Sequence, residues 1–331
     1  MHSKKILLPV NPVNAETPWL WIGTWSMGGE GFGPHDEQES LRVLQKAAEN
    51  NIRHFDTAGF YAHGKSEVLL QKIIAKEREE FYISSKGGLV WEGRNVEHRA
   101  SPEHLKIQLQ ESLSRLKTDY LDLFQLHWPD PEVPIDESID SLKEYQQQGM
   151  IRYWGVGNFT PLQVHQYLAG ETSIPHQVHF NPLHKAFDTL SAGLERCINC
   201  VISPLEQGLL GSGTSSDSTK GISRKDIRNR NPYFSDKEVL QWAAGLEELM
   251  KGQACSKVQS VLLWTSSQLN VHSIIPGPRT VRQLDELIEF KSLTVQKGFI
   301  EKEENTILSK HKVKEFISEK VWEYLNEREN L

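Results

Sequence analysis

The chain is poor in cysteine, with only Cys197, Cys200 and Cys255 among its 331 residues. So few cysteines exclude the disulfide framework that holds small secreted domains together. Cys197 and Cys200 form a C-x-x-C pair, but Cys255 has no Cys or His partner at the spacing of a structural zinc site. The pair also runs into an apolar segment, whereas a redox pair opens a helix. We therefore expect two small, half-buried packing residues and no metal.

Positive charge is also scarce. The sequence has 37 Lys and Arg against 44 Asp and Glu, a net charge of -7 at pH 7. Nucleic acids and anionic membranes are both bound through clustered basic residues, so neither is expected as a partner. No apolar run reaches the roughly 18 residues of a transmembrane helix. Pro9 and Pro12 interrupt the apolar start, unlike in a secretory signal, and we expect a cytoplasmic protein.

What the chain does contain is a steady alternation of short apolar segments with helical patterns. Such alternation predicts a (β/α)8 TIM barrel, with residues 1–331 as a single domain, an N-terminal extension and a C-terminal helix at about 305–327. One predicted helix opens at Ser101-Pro102 and the next is capped by Asp136. The predicted strands cover 19–24, 52–56, 81–86, 120–126, 151–156, 176–180, 200–203 and 272–275.

Three successive predicted strands end in reactive side chains, namely Asp56, Lys86 and His127, and Tyr61 follows closely. The carboxyl ends of barrel strands share one mouth, so these groups should meet there. An ammonium beside a phenol lowers the phenol pKa from about 10, which makes Tyr61 a candidate general acid. His127 could donate to a substrate oxygen. Protonating a developing alkoxide implies hydride delivered to a carbonyl, and hence a nicotinamide cofactor.

Taken singly, each of these residues could have an ordinary structural role, since a strand-end Asp caps helices and a lone Lys, His or Tyr is commonly solvated or packed. A glycosidase would need a second carboxylate at a strand end, and Asp56 has no evident mate. The Gly28–Gly33 stretch fails the dinucleotide fingerprint because Pro34 stands at the last glycine position, so we expect a flexible loop.

The sequence resembles the aldo-keto reductases from Gly23 to about Glu286. The likeness rests on Phe-Asp-Thr-Ala-Gly-Phe-Tyr ending at Tyr61, on Lys86, and on His127-Trp128-Pro129. The resemblance implies reduction of a small-molecule aldehyde or ketone with NADP(H), or alternatively NAD(H), by a monomer or weak oligomer. It implies Tyr61 as the acid, Lys86 as its pKa tuner, Asp56 as the lysine's ion-pair partner and His127 as the substrate orienter.

The same resemblance implies a set of cofactor-binding residues. Arg279 would pair with a 2′-phosphate, Asn158 and Gln177 would hold the carboxamide, and the basic insertion at 211–232 with Arg228 would fold over the cofactor. Trp25 and Trp128 would wall the substrate pocket. The implied cofactor set is Gly23, Thr24, Trp25, Asp56, Asn158, Gln177, Ser203, Pro204, Leu205, Gly208, Leu210, Arg228, Gly277, Arg279, Gln283 and Glu286.

The chain departs from the family pattern at Gly157, Ile202 and Leu287, where Ser, an aromatic residue and Asn are usual. These departures bear on the affinity for the cofactor and on the preference for NADP, and they leave the expected fold unchanged. A second functional hypothesis is a cofactor-binding regulatory subunit resembling the potassium-channel β-subunits. The presence of all four residues expected for catalysis weighs against a purely regulatory role. Substrate choice is expected to lie in the loops 87–99 and 129–134 and in the tail.

Overall fold

The computed structural model describes residues 19–29, 31–33, 35–93, 95–171, 173–185, 197–212, 226–299 and 308–326. Its strands are β1 (Ile22–Gly23), β2 (His54–Asp56), β3 (Tyr82–Gly87), β4 (Leu89–Glu92), β5 (Asn95–His98), β6 (Leu121–Leu126), β7 (Ile151–Gly157), β8 (Ile174–His179), β9 (Cys197–Ile202) and β10 (Val271–Ile275). Eight of them form one parallel sheet in the order β1-β2-β3-β6-β7-β8-β9-β10.

Backbone hydrogen bonds between the first and last strands bring the sheet round into a nearly closed barrel. The Trp21 amide donates to the Ile274 carbonyl at 3.0 Å and the Gly23 amide donates to the Pro276 carbonyl at 2.9 Å. Large apolar side chains such as Trp21, Ile22 and Phe55 are fully buried. The predicted (β/α)8 fold is confirmed.

The helices lie around this barrel. They are α1 (Glu37–Glu49), α2 (Lys65–Ile74), α3 (Pro102–Leu116), α4 (Ile135–Gln147), α5 (Pro161–Tyr167), α6 (Lys237–Leu249), α7 (Lys257–Ser266), α8 (Val281–Gln296), α9 (Lys310–Phe316) and α10 (Glu319–Asn326). As predicted, Ser101 caps α3 with Pro102 in its first turn.

Two helix predictions need correction. Pro134 is the N-cap residue of α4, so Asp136 lies inside the first turn and does not cap it. There its carboxylate still faces the positive end of the helix dipole. The C-terminal tail forms two helices, α9 and α10, and not one, because Ser318 between them adopts a left-handed φ of 60°.

The segment 87–99, expected to be a loop, contains an antiparallel hairpin of β4 and β5 in which Trp91 pairs with Val96. The Trp91 ring stacks on Phe60 with centroids 4.5 Å apart, and its Nε1 donates to the Phe60 carbonyl at 3.1 Å. The hairpin therefore braces the loop that precedes Tyr61.

Cys197 and Cys200 lie in β9 and are both buried, more deeply than the predicted half-burial. Burial raises the pKa of the Cys200 thiol to about 12, which keeps it protonated. Across the described ranges, no three His, Cys, Asp or Glu side chains are grouped as metal ligands. Nor does any described helix combine the length and apolarity needed to cross a membrane.

Candidate active site

The carboxyl ends of β2 and β3 bring Asp56, Tyr61 and Lys86 into direct contact. Lys86 Nζ donates to Asp56 Oδ2 at 2.7 Å, to the Thr57 carbonyl at 2.8 Å and to Tyr61 Oη at 3.1 Å. Lys86 is 2% exposed and Asp56 is 3% exposed. The three ammonium donors thus have three acceptors, which fixes Nζ beneath the phenol oxygen.

The electrostatics differ from the sequence-based prediction in one respect. Burial raises the pKa of Tyr61 and outweighs the lowering by the nearby Lys86 ammonium, so the predicted downward shift is wrong. Burial opposes the Lys86 charge, but Asp56 and Tyr61 together raise the pKa of Lys86 above its usual value. The structure therefore holds a protonated phenol beside a charged ammonium.

His127 follows β6 and packs edge-on against Tyr61, with ring centroids 5.8 Å apart. Its backbone amide donates to the Gly87 carbonyl at 2.8 Å. Burial, and then the Lys86 charge, holds the pKa of His127 well below its usual value, so the imidazole is neutral. A neutral imidazole at this position carries one N–H donor for a substrate oxygen.

A cleft of about 1560 Å³ extends from these residues along the carboxyl ends of the strands. Most of the predicted site residues line it. These are Gly23, Trp25, Asp56, Tyr61, His127, Trp128, Asn158, Ser203, Pro204, Leu205, Gly208, Arg228, Gly277, Arg279, Gln283 and Glu286.

Four predicted residues are buried and are absent from the described lining, namely Thr24, Lys86, Gln177 and Leu210. Thr24 Oγ1 donates to the Asp56 carbonyl at 3.1 Å. The side chain of Gln177 donates to Asp56 Oδ1, so it supports the carboxylate from below. Asn158 does face the cleft, and its Nδ2 donates to the His127 carbonyl at 2.9 Å. Of the two residues predicted to hold the carboxamide, Asn158 therefore lines the cleft, whereas Gln177 is buried against Asp56.

The loop after β9 carries three non-glycine residues in left-handed conformations, Ser203 with φ of 51°, Glu206 with φ of 44° and Gln207 with φ of 52°. Glu206 is buried, and its carboxylate accepts from Asn181 Nδ2 and from Asn231 Nδ2, each at 2.6 Å. Sequence reasoning missed Glu206, since a surface carboxylate is the usual expectation for this residue type. These contacts fix the loop at one side of the cleft.

At the far end of the cleft lie Arg228 and Arg279. Arg228 pairs with Asp226, with Nη2 to Oδ2 at 2.7 Å and Nε to Oδ1 at 2.9 Å. The Ile227 amide donates to the Gly31 carbonyl at 2.6 Å, which joins this segment to the loop after β1. Of the predicted cofactor lid at 211–232, residues 213–225 lie outside the described ranges.

Around Tyr61 the cleft wall is mainly apolar. Trp25 lies edge-on to Phe32 with centroids 4.9 Å apart, and Trp128 is 42% exposed, as a residue at the rim would be. Phe60 and Leu89 also line this end and were missed from the sequence. The apolar run Leu89-Val90-Trp91, which ends at the turn residue Gly93, is the signal that could have found the hairpin carrying Leu89.

Comparison with known proteins bears on this arrangement. The model of the aldo/keto reductase family matches residues 20–304. The aldo-keto reductase YhdN of Bacillus subtilis is 30% identical over 302 residues, covering 88% of this chain and 90% of that protein. An NADH-specific methylglyoxal reductase of Escherichia coli is 29% identical, and the match covers 84% of this chain and 91% of that reductase. An L-glyceraldehyde 3-phosphate reductase of the same species is 30% identical, covering 82% and 83%.

Solved structures agree with the sequence comparisons. The glycerol dehydrogenase AKR11B4 of Gluconobacter oxydans superposes with a TM-score of 0.71 at 25% identity, covering 84% of this chain and 90% of that one. The thermostable aldo-keto reductase Tm1743 superposes with a TM-score of 0.65 at 26% identity, covering 95% of each chain. Members of this family are oxidoreductases that act on small carbonyl compounds with nicotinamide cofactors. The chain belongs to the aldo/keto reductase family.

Proposed function

We propose that the protein reduces aldehydes or ketones to alcohols with NADPH, and that Tyr61 is the general acid. The observation that carries this proposal is the position of Lys86 Nζ, 2.7 Å from Asp56 Oδ2 and 3.1 Å from Tyr61 Oη, at the inner end of the cleft. A phenol that burial keeps protonated can donate its proton to a substrate oxygen, and the adjacent ammonium can stabilise the phenolate that remains.

The residues along the cleft fit a nicotinamide dinucleotide. A Cβ atom at Gly277 would lie 3.3 Å from the Gly23 carbonyl oxygen, so a side chain there would crowd the end of β1. Arg228 and Arg279 line the distant end, where they would meet an anionic adenosine phosphate. Asn158 would hold the carboxamide near Tyr61, with Gln177 supporting Asp56 from beneath. When bound, the cofactor supplies hydride to the carbonyl carbon.

The chain's own groups carry out the remaining steps. The neutral His127 imidazole donates a hydrogen bond to the carbonyl oxygen and orients it. Tyr61 Oη then transfers its proton to that oxygen as negative charge develops. Lys86 stabilises the resulting phenolate, and Asp56 keeps Lys86 charged and in place. Because these groups are buried, their charges act with little screening by water.

NADPH is favoured over NADH in this proposal because the Arg279 guanidinium lines the cleft end, beside an Arg228 that is already paired with Asp226. Arginine matches phosphate geometry through paired N–H donors. Proximity to Arg228 contributes to lowering the pKa of Arg279, after burial, so the two cations influence one another. Asp226 already opposes that repulsion, and an anion bound beside Arg279 would add to its effect, which is compatible with a 2′-phosphate as the occupant.

The apolar wall formed by Trp25, Phe60, Leu89 and Trp128 supports carbonyl substrates with an apolar or aromatic substituent. The direct test follows oxidation of NADPH and of NADH by purified protein against aromatic, aliphatic and sugar aldehydes. Turnover with aromatic aldehydes and NADPH is expected. Binding of NADPH without turnover of any carbonyl compound would contradict the catalytic proposal and favour a regulatory role.

A further inference from the structure

A buried carboxylate that takes no part in the contacts among Asp56, Tyr61, Lys86 and His127 lies directly behind the Tyr61 loop. Glu67, in the first turn of α2, is fully buried. One of its oxygens accepts from Ser85 Oγ at 2.7 Å and the other accepts from Arg115 Nε at 2.6 Å. Ser85 immediately precedes Lys86 in β3, and Arg115 lies in the last turn of α3. Glu67 thus connects the lysine's strand with a neighbouring helix.

Arg115 in turn contacts both glycines that flank the Tyr61 turn. A Cβ atom built at Gly59 would lie 2.6 Å from Arg115 Nη2, and one built at Gly64 would lie 2.5 Å from Arg115 Cδ. Such distances show that the guanidinium group and its stem fill the space a side chain would need. Arg115 therefore packs against the backbone on either side of Tyr61.

The turn itself is held in an unfavourable backbone conformation. Ala62, His63 and Gly64 have φ of 48°, 53° and 84°, so three consecutive residues are left-handed. Each left-handed non-glycine residue costs on the order of 1–3 kcal/mol and persists only where its surroundings hold it. The Arg115 side chain and the close contact of Ala62 with Gly28 are the surroundings that hold it here.

We infer that Glu67 and Arg115 are positioning residues for the reaction, which fix the distance between Tyr61 and Lys86 by clamping the Tyr61 turn to the Lys86 strand. This inference rests on the proposed function for its catalytic consequence. Neither residue is among the described residues that line the cleft. Their effect reaches the reacting atoms through Ser85 on one side and through Gly59 and Gly64 on the other.

The test replaces Glu67→Gln, which keeps the shape and the acceptor for Ser85 but removes the charge that holds Arg115. We expect kcat for carbonyl reduction to fall on the order of tenfold to a hundredfold, since displacements near 1 Å at a reacting group have such effects. The dissociation constant of NADPH should stay within about twofold, because the far end of the cleft is untouched. Arg115→Met should likewise lower kcat and leave the dissociation constant of NADPH nearly unchanged.

The matched control is Asp122→Asn, which damages another buried carboxylate with arginine partners. Asp122 accepts from Arg78 and Arg152, each at 2.8 Å, near the amino ends of β6 and β7. It should lower stability while leaving kcat per folded molecule unchanged. An equal fall in kcat for the control would show that general loosening of the barrel, and no clamp, accounts for the loss.

A second measurement is independent of turnover. Hydrogen–deuterium exchange should show faster amide exchange at residues 58–64 in Glu67→Gln and in Arg115→Met, with unchanged exchange in β7 and β8. Unchanged exchange at 58–64, or a kcat within twofold of wild type, would overturn the clamp. If the wild-type protein reduces no carbonyl compound, the proposed function fails, and the exchange result still decides whether the clamp exists.

Discussion

At the scale of single residues, the protonation of Tyr61 is set by a competition between burial and a neighbouring charge. Burial raises the pKa of the phenol more strongly than the Lys86 ammonium, 3.1 Å away, lowers it. The identity and spacing of the residues in the sequence indicated the ammonium, but burial of the phenol depends on the packing of Trp25 and His127 around its ring. The acid is therefore kept protonated by its surroundings, ready to donate.

This balance predicts the pH dependence of carbonyl reduction. Because burial raises the pKa of Tyr61 above its usual value of 10.0 and lowers that of His127 well below 6.5, neither group has its titration midpoint between pH 6.5 and 9.5. We expect kcat to be flat over this range and to fall only at higher pH, as Tyr61 loses its proton. Steady-state kinetics with saturating NADPH would measure it. A fall in kcat centred near pH 8 would show that the Lys86 ammonium lowers the pKa of Tyr61 more than burial raises it.

Arg279 gives the second prediction at this scale. Arg279→Ala should weaken NADPH binding by about tenfold to a hundredfold, as expected for loss of hydrogen bonds to a charged group, with little change for NADH. Fluorescence titration of each cofactor would measure both constants. Lys251→Ala, which removes an exposed cation that is not among the cleft-lining residues, is the control and should change neither. Equal losses for the two cofactors would show that Arg279 does not bind the 2′-phosphate.

At the scale of secondary-structure elements, the two ends of the parallel strands have different tasks. The carboxyl ends of β2, β3 and β6 present the reactive side chains, whereas Asp122 near the amino end of β6 binds two arginines and the Ile83 amide at 2.9 Å. Tyr120 lies between those arginines, with their guanidinium carbons 4.3 and 4.0 Å from its ring centroid. One end therefore serves the reaction and the other ties neighbouring strands together.

Removing this anchor should lower stability. Asp122→Asn leaves Arg78 and Arg152 without their buried carboxylate, and we expect the free energy of unfolding to fall by about 3–5 kcal/mol. Urea denaturation followed by circular dichroism would measure it. Glu80→Gln, which disrupts an exposed pair with Arg53, is the control and should have little effect. A loss no larger than that of the control would contradict the anchoring role.

Helices and barrel strands were predictable at this scale because their apolar periods and caps are local. Ser101-Pro102 at α3 and Thr160-Pro161 at α5 are examples. In each, the Ser or Thr side chain accepts a hydrogen bond from the backbone amide three residues later. The β4–β5 hairpin was missed because its second strand holds only one apolar residue, Val96, and so shows no clear period. Its position is fixed by a distant contact, the stacking of Trp91 on Phe60. Contacts of this kind are not visible in local sequence.

At the scale of the whole molecule, the barrel brings residues far apart in the chain to one cleft. The convergence of Asp56, Tyr61, Lys86 and His127 could be predicted, since each lies at the carboxyl end of a strand or shortly after it, and the strands share one mouth. The Glu67–Arg115 pair and the buried Glu206 could not, because each gains its role only from partners on other elements. The order of elements thus predicts where reactive groups meet, while the supporting contacts require the folded chain.

The central claim is that Tyr61 donates the proton, and the substitution Tyr61→Phe tests it most directly. The variant removes one oxygen atom and keeps the ring, so NADPH should still quench tryptophan fluorescence with an unchanged dissociation constant. Carbonyl reduction should fall by about a hundredfold or more, within the range contributed by a general acid. Tyr145→Phe, whose hydroxyl donates to the Pro102 carbonyl outside the cleft, is the control and should keep full activity. Wild-type turnover by Tyr61→Phe would contradict the mechanism.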